Sequence, residues 1–220
     1  MAREKRSEAV LVIGLGRFGA SIATTLTTLG REVLAVESDP AVAQQWASHF
    51  RVIEADATSI DALEQLGVHD FPFAVVAVGS SIEASVLIAT NLVDLGLKQV
   101  WAKATSHAHG TILSRIGTHH VIYPEHDAGE RVAHMVSGKM LDYIEIEDDF
   151  AVVKMFAPRD LLNRSINISD LQEKFGITLI GIKEPSRPFR YATGTATFSE
   201  GDILIVSGAS DAVESFVNRI

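Results

Sequence analysis

Val10-Leu11-Val12-Ile13-Gly14-Leu15-Gly16-Arg17-Phe18-Gly19 joins a short apolar run to the pattern Gly-x-Gly-x-x-Gly. Four aliphatic residues in a row suit a strand buried on both faces. The glycines then have separate jobs. Gly14 permits a tight turn, Gly16 lets the backbone approach a phosphate, and Gly19 lets the next helix pack on the strand. The segment after Phe18 reads as a helix whose free N–H groups and dipole face that phosphate. Val33-Leu34-Ala35-Val36 reads as a second buried strand, ended by Glu37 about twenty residues on, where an acid meets ribose hydroxyls. Glycines also mark ordinary turns, so the order of strand, glycines and acid carries the reading of a mononucleotide or dinucleotide site.

The chain alternates in this way over most of its length. Strands are expected at Ala9 to Ile13, Glu32 to Glu37, Arg51 to Ala55, Phe73 to Val78, Gln99 to Lys103 and His120 to Tyr123. Helices lie between them, with Asp39-Pro40, Ser59 or Thr58, and Gly79-Ser80-Ser81 as N-terminal signals and Gly30, Gly67, Gly96 and Gly117 as stops. A helix from Glu125 to about Ser137 follows. Strands and helices at this spacing predict an α/β fold, a Rossmann-like doubly wound parallel sheet with flanking helices. Its ligand belongs at the carboxyl ends of the strands, which places Gly14–Gly19, Glu37, Asp56, Gly79, Lys103 and Glu125 along one edge. After about Asp142 the pattern changes to short alternating strands at Tyr143 to Glu147 and Ala151 to Phe156, separated by Asp148-Asp149. A helix capped by Ser169 or Asp170 runs to Phe175, strands follow at Ile177 to Lys183 and Asp202 to Val206, and a last helix covers Asp211 to Val217. The domains are therefore a disordered lead-in over 1–8, a nucleotide-binding domain over 9–140, and a small C-terminal α+β domain over 141–220.

Composition narrows the function. The chain has 220 residues, 47% of them hydrophobic, enough for a substantial core. Its apolar runs are too short for a transmembrane helix, and no signal-peptide core follows Arg3, Lys5 and Arg6. It has no cysteine, so disulfides and thiolate metal sites are excluded. A net charge of −9 argues against nucleic acid as a partner. A cytoplasmic protein is the simplest expectation.

Each candidate residue has a use and a plainer alternative. The loop Gly14, Leu15, Gly16, Arg17, Phe18 and Gly19 is expected to bind the cofactor. Glu37 accepts ribose hydroxyls and repels a 2′-phosphate, which disfavours NADP, or it merely solvates a strand end. Ser38 shares the ribose contact. Lys103 meets phosphate or Glu125, or it snorkels from the strand end. Glu125 is a ligand for a divalent cation such as Mg²⁺ beside the phosphates, or an acid that the helix dipole favours. Arg17 grips phosphate oxygens with its fork of donors, or projects into solvent. The histidines His107, His109, His119, His120, His126 and His134 lack the spacing of a closed metal site.

Several stretches together resemble the RCK (regulator of conductance of potassium) family. They are Val12-Ile13-Gly14-Leu15-Gly16-Arg17-Phe18-Gly19, Glu32 to Glu37, Ala55-Asp56-Ala57-Thr58, Trp101-Ala102-Lys103-Ala104 and Tyr123 to Gly129. Gly176-Ile177, Gly181-Ile182 and Glu200-Gly201-Asp202 resemble the family's second domain. The likeness covers about residues 8–220 and is nearest to the cytosolic regulatory subunits of Ktr or Trk potassium uptake systems. It implies a homo-oligomer of dimers, often an eight-membered ring, beneath a membrane-embedded potassium transporter subunit. Adenine nucleotide, ATP or ADP with NAD(H) as the alternative, binds the first domain and changes the ring's shape to gate potassium flux. The resemblance gives the backbone at Asp56 and Ala57 the adenine edge, and lets Arg17 reach the terminal phosphate of nucleotide held by the neighbouring subunit. It also implies cyclic di-AMP between paired second domains in some members, for which Ile168, Leu171, Phe175 and Ile177 are the candidate lining. The plainer reading of those four is the domain's own core. An NAD-dependent oxidoreductase and a nucleotide-stabilised scaffold are the competing functions; neither catalytic triads nor paired carboxylates can be placed from spacing.

Overall fold

All four side chains of strand β1 (Val10–Ile13) are buried, which puts it in mid-sheet. The computed structural model describes residues 9–136, 139–147 and 149–219. The lead-in over 1–8, the helix end at Ser137, Gly138 and Asp148 lie outside the described residues. Helix α1 (Arg17–Thr28) leads to β2 (Val33–Glu37), α2 (Pro40–Trp46), β3 (Arg51–Glu54) and α3 (Ile60–Gln65). Then come β4 (Phe73–Val76), α4 (Ile82–Asp94), β5 (Gln99–Lys103), α5 (His107–Arg115), β6 (His120–Ile122) and α6 (Pro124–Val136). The strands pair in parallel in the order β3-β2-β1-β4-β5-β6. The order reverses between β1 and β4, and this is the switch point where such sheets bind ligands.

Alternation along β1 divides the core. Leu11 and Ile13 join Leu63, Ile88, Leu92 and Leu113 on one face; Val10 and Val12 join Ala23, Val33 and Ala35 on the other. Local signals act as read. Asp39 Oδ1 accepts the N–H of Ala41 at 2.8 Å and Pro40 opens α2. Ser59 and Ser81 cap α3 and α4. The strand expected at Phe73 to Val78 stops at Val76, because Ala77 and Val78 already belong to the turn over Gly14.

The second unit carries a five-stranded antiparallel sheet in the order β11-β10-β13-β8-β7. Its strands are β7 (Met140–Glu147), β8 (Phe150–Phe156), β10 (Ile177–Lys183), β11 (Arg190–Tyr191) and β13 (Ile203–Ala209). β9 (Ser165–Asn167) and β12 (Thr195–Thr197) form a separate antiparallel pair. Helices α7 (Ser169–Phe175) and α8 (Ser210–Val217) complete it. The sequence shows no sign of β9, β11 and β12, since two or three residues hold too little alternation to read. The N-cap of α7 is Ile168, without a side-chain bond, rather than Ser169 or Asp170. Leu171 and Ile177 are core residues here, with Ile168 and Phe175 half-buried against them.

Contacts divide the chain after Glu125, ahead of the change at 140 read from the sequence. The reason lies in α6, none of whose described side chains is buried. Beyond Glu125 its side chains engage β7 instead: Arg131 binds Asp142 through Nε and Nη2 at 2.7 and 2.9 Å, and the His134 ring stacks on Tyr143 at 3.8 Å.

One buried polar group matters below. His109, in the first turn of α5, is 1% exposed. Its Nδ1 accepts the main-chain N–H of Thr105 at 3.3 Å, which puts the ring proton on Nε2, and Nε2 is buried without a partner. Burial holds its pKa below the ordinary 6.5. An unfolded chain takes up this proton near pH 6.5 and the folded one only at lower pH, so the unfolded state binds more protons in between. Stability is therefore expected to be level above about pH 6.5 and to fall as acid carries the protein below it. Urea midpoints across pH 5 to 8 check this, and the fall should be shallower in His109→Asn.

Candidate functional site

The three glycines of the loop differ in what the fold demands of them. Gly14 has φ +89°, a conformation that side chains rarely adopt. A Cβ at Gly19 would stand 1.9 Å from the Gly14 carbonyl oxygen and 2.9 Å from the Ala77 Cβ, so only glycine lets α1 lie this close to the sheet. Gly16 has an ordinary φ of −62°, and a Cβ there would meet nothing within 4 Å. It borders instead a cleft of about 1160 Å³ at the carboxyl ends of the strands. Gly16 is also the N-cap of α1 and supplies no side chain, so the first N–H groups of the helix are left for a ligand.

The cleft brings together Gly14, Gly16, Arg17, Phe18, Glu37, Ser38, Asp56, Ala57, Gly79, Lys103 and Glu125. Two residues of the expected loop stand apart from it. Leu15 is 2% exposed and its side chain enters the core, so it offers only its backbone. Gly19 serves helix packing. The structure adds Ser21, Val42, Ser80 and Thr105 to the lining. Ser21 was within reach of the sequence, because it lies four residues after Arg17 on the same helical face. Thr105 carries no motif.

Glu37 does more than end a strand. Its Oε2 accepts the Leu15 N–H at 2.6 Å, and its Oε1 accepts the N–H groups of Ser38 and Asp39 at 2.8 and 3.0 Å. The carboxylate ties the glycine loop to the end of β2. Asp56 turns inward on its own segment: Oδ1 accepts the N–H and hydroxyl of Thr58 at 2.9 and 2.7 Å. The Thr58 hydroxyl, then its N–H, hold the Asp56 carboxyl below the usual range. This leaves Ala57 on the cleft wall as backbone.

Lys103 folds over Gly79, where a Cβ would stand 3.3 Å from Nζ. Nζ lies 2.6 Å from Glu125 Oε1 and 5.8 Å from the centre of the Phe18 ring. The Lys103 hydrogen bond is the main cause that holds the Glu125 carboxyl below its ordinary range, helped by the charges of Lys103 and Arg17. Among the described residues no group of three or more His, Asp or Glu side chains could hold a metal ion. A cation at Glu125 would therefore need ligand oxygens to complete its shell.

Residues 10–124 match the family model of the TrkA-N domain. The chain is 34% identical over 213 residues to Ktr system potassium uptake protein C of Bacillus subtilis (strain 168), with 95% of this chain and 96% of that one covered. The chain belongs to the TrkA-N family of Ktr potassium uptake proteins. Ktr system potassium uptake protein A of the same organism is 33% identical over 216 residues, with 97% of each covered. A solved structure described as the GsuK channel bound to NAD has a TM-score of 0.69 at 15% identity. That likeness covers 96% of this chain and 39% of that chain, and it shows the shared RCK fold. Among the described residues no helix is long and apolar enough to cross a membrane.

The Glu37 geometry predicts a double effect in this TrkA-N domain. Glu37→Ala should lower stability by about 1.5–3 kcal/mol, the loss of hydrogen bonds to a charged group, and weaken nucleotide binding as well. Urea unfolding and calorimetry on the same preparation read the two effects. Unchanged stability would mean that the loop does not depend on this tie.

Proposed function

We propose that this chain is the nucleotide-gated regulatory subunit of a potassium transporter. It binds an adenine nucleotide in the cleft of the first unit and controls potassium flux through a membrane pore subunit, without catalysing a reaction. The observation that carries this reading is Gly16. The fold has room for a side chain there, and the space that glycine leaves empty belongs to the cleft. The names of the two Bacillus relatives supply the transport context.

Glu37 and Ser38 suit a ribose with free hydroxyls, which ATP, ADP and NAD(H) all present. Arg17 and Lys103 suit phosphates. A divalent cation fits between Glu125 and phosphate oxygens once Lys103 yields Oε1. A homo-oligomer, a dimer that builds an eight-membered ring, is supported by an apolar face of the parallel sheet. There Phe73, Trp101 and Ile122 border a cavity of about 350 Å³ with Val10, Ile22 and Leu26, and Phe73 and Trp101 are exposed. A second copy would cover it. Cyclic di-AMP between paired second domains rests on Ile168 and Phe175 alone, since the core takes Leu171 and Ile177.

Three substitutions test the reading. Gly16→Ala should cost the fold under about 1 kcal/mol, the difference between N-cap residues, yet reduce ATP and ADP binding tenfold or more. Gly19→Ala should instead destabilise by about 1–3 kcal/mol through overpacking. Calorimetry with ATP, ADP, AMP, NAD and NADH on the folded Gly16→Ala protein decides; undiminished binding would remove the argument for a phosphate at this loop. Arg17→Ala should lose more affinity for ATP than for ADP, by about 1.5–3 kcal/mol for a charge-assisted contact. Equal losses would confine Arg17 to the phosphates that both ligands share.

A further inference from the structure

Thr105 is a polar residue of the cleft wall with no part in the glycine loop, the acid or the ion pair. The chain reaches it just after β5 delivers Lys103. A Cβ at Gly79 would stand 3.3 Å from Lys103 Nζ and 3.4 Å from Thr105 Cγ2, so both side chains crowd one glycine at the end of the cleft that holds the cations. Behind Thr105 lies His109. The Ser106 hydroxyl caps α5 through the His109 N–H at 3.2 Å, which folds the imidazole back over the turn. Its Nδ1 is 3.3 Å from both the main-chain nitrogen and the hydroxyl oxygen of Thr105.

An imidazole nitrogen has one lone pair. The main-chain N–H of Thr105 is directed at it, so the Thr105 hydroxyl, 3.3 Å from the same nitrogen, keeps its proton free for another acceptor. The arrangement is costly, because Nε2 is buried with no partner, a cost that an aliphatic residue at 109 would avoid. The turn is also close-packed: a Cβ at Gly110 would stand 1.8 Å from the Tyr123 hydroxyl, so the Tyr123 side chain rests against the backbone of α5. Thr105 is exposed on the cleft wall, its methyl shares the space over Gly79 with Lys103 Nζ, and the hydroxyl on the same Cβ keeps a proton that the buried imidazole does not take. We propose that Thr105 is a ligand contact that donates its hydroxyl to a phosphate oxygen of the bound nucleotide, and that His109 is its positioning residue. The inference rests on the nucleotide reading above and names a donor which that reading did not include.

The test compares ATP with adenosine, which lacks phosphates, by calorimetry on the full chain. Wild type must bind ATP; if it binds neither ligand, the nucleotide reading fails and this inference falls with it. Thr105→Val, an exposed and nearly isosteric change, should weaken ATP about tenfold, the scale of one hydrogen bond to a charged group, and leave adenosine unchanged. Thr105→Ser should restore ATP binding. His109→Leu should reproduce the loss, and His109→Asn, whose Oδ1 can stand in for Nδ1, should restore it. The double variant His109→Leu/Thr105→Val should lose no more than Thr105→Val alone. If Thr105→Val binds ATP like wild type while wild type binds well, the hydroxyl is not a contact and the proposal is overturned. If the double variant multiplies the two losses, or if ATP and adenosine weaken together, His109 supports the fold and does not position Thr105. Should His109→Leu fail to fold, Thr105→Val, Thr105→Ser and His109→Asn still give these outcomes.

Discussion

The first residues of α1 lie against the carbonyl of Gly14, and the rest of the first unit depends on that approach. A Cβ at Gly19 would overlap the carbonyl oxygen at 1.9 Å. The absence of one carbon atom lets the helix start directly above the end of β1. Gly14 has to turn with a positive φ for the chain to get there. Because β1 and β4 diverge in their connections at this point, the helix start opens onto the crevice between them. Uncapped N–H groups, partial positive charge and space therefore coincide.

Glu37 keeps this arrangement in register. A carboxylate has about four lone-pair sites. Three main-chain N–H groups take one each: Leu15 from the loop, Ser38 and Asp39 from the end of β2. The acid is thus held in place by the fold itself, with capacity left for a hydroxyl of the proposed nucleotide. A preorganised acceptor loses little freedom on binding, which favours affinity over an acid that must first be ordered.

The sequence discloses most of this fold because its signals are local. Buried strand runs, Asp39-Pro40, Ser59 and Gly176 each act within a few residues, and the structure follows them. The glycine motif marks the loop that borders the cleft but does not separate its members. That Gly14 and Gly19 serve the backbone while Gly16 leaves space for a ligand depends on Ala77 and on the cleft, both set by strand pairing with β4. The three bonds of Glu37 were hidden for a similar reason, since Leu15 lies 22 residues away. Thr105 escaped notice because its partner is a histidine four residues on, which in sequence alone is one of several without a metal-site pattern. The division of contacts after Glu125 is not legible in the sequence, where α6 reads as one more helix of the α/β alternation. Its allegiance to β7 is visible only in Arg131, Asp142, His134 and Tyr143.

The charges in the cleft give a physical basis for a response to ligand. Two cations, Arg17 and Lys103, act on the single carboxylate of Glu125, and Lys103 bonds it at 2.6 Å. Glu125 is the last residue of the first unit and the second of α6, along which the chain passes into the second unit. A phosphate placed at the start of α1 brings more negative charge than one carboxylate, and it competes for the same two cations. Lys103 carries a single positive charge, so a phosphate beside it would share with Glu125 the attraction that the carboxylate now has alone. On the proposed function, ligands that differ in phosphate number would differ in how far they loosen Glu125. A difference in contact of this kind is what an equilibrium between shapes requires, because a ligand that met both shapes equally would shift neither. Salt bears on the same balance. Glu125 is largely exposed, so the ion pair alone is a weak tie, which suits a contact that has to be exchanged rather than one that holds the fold together.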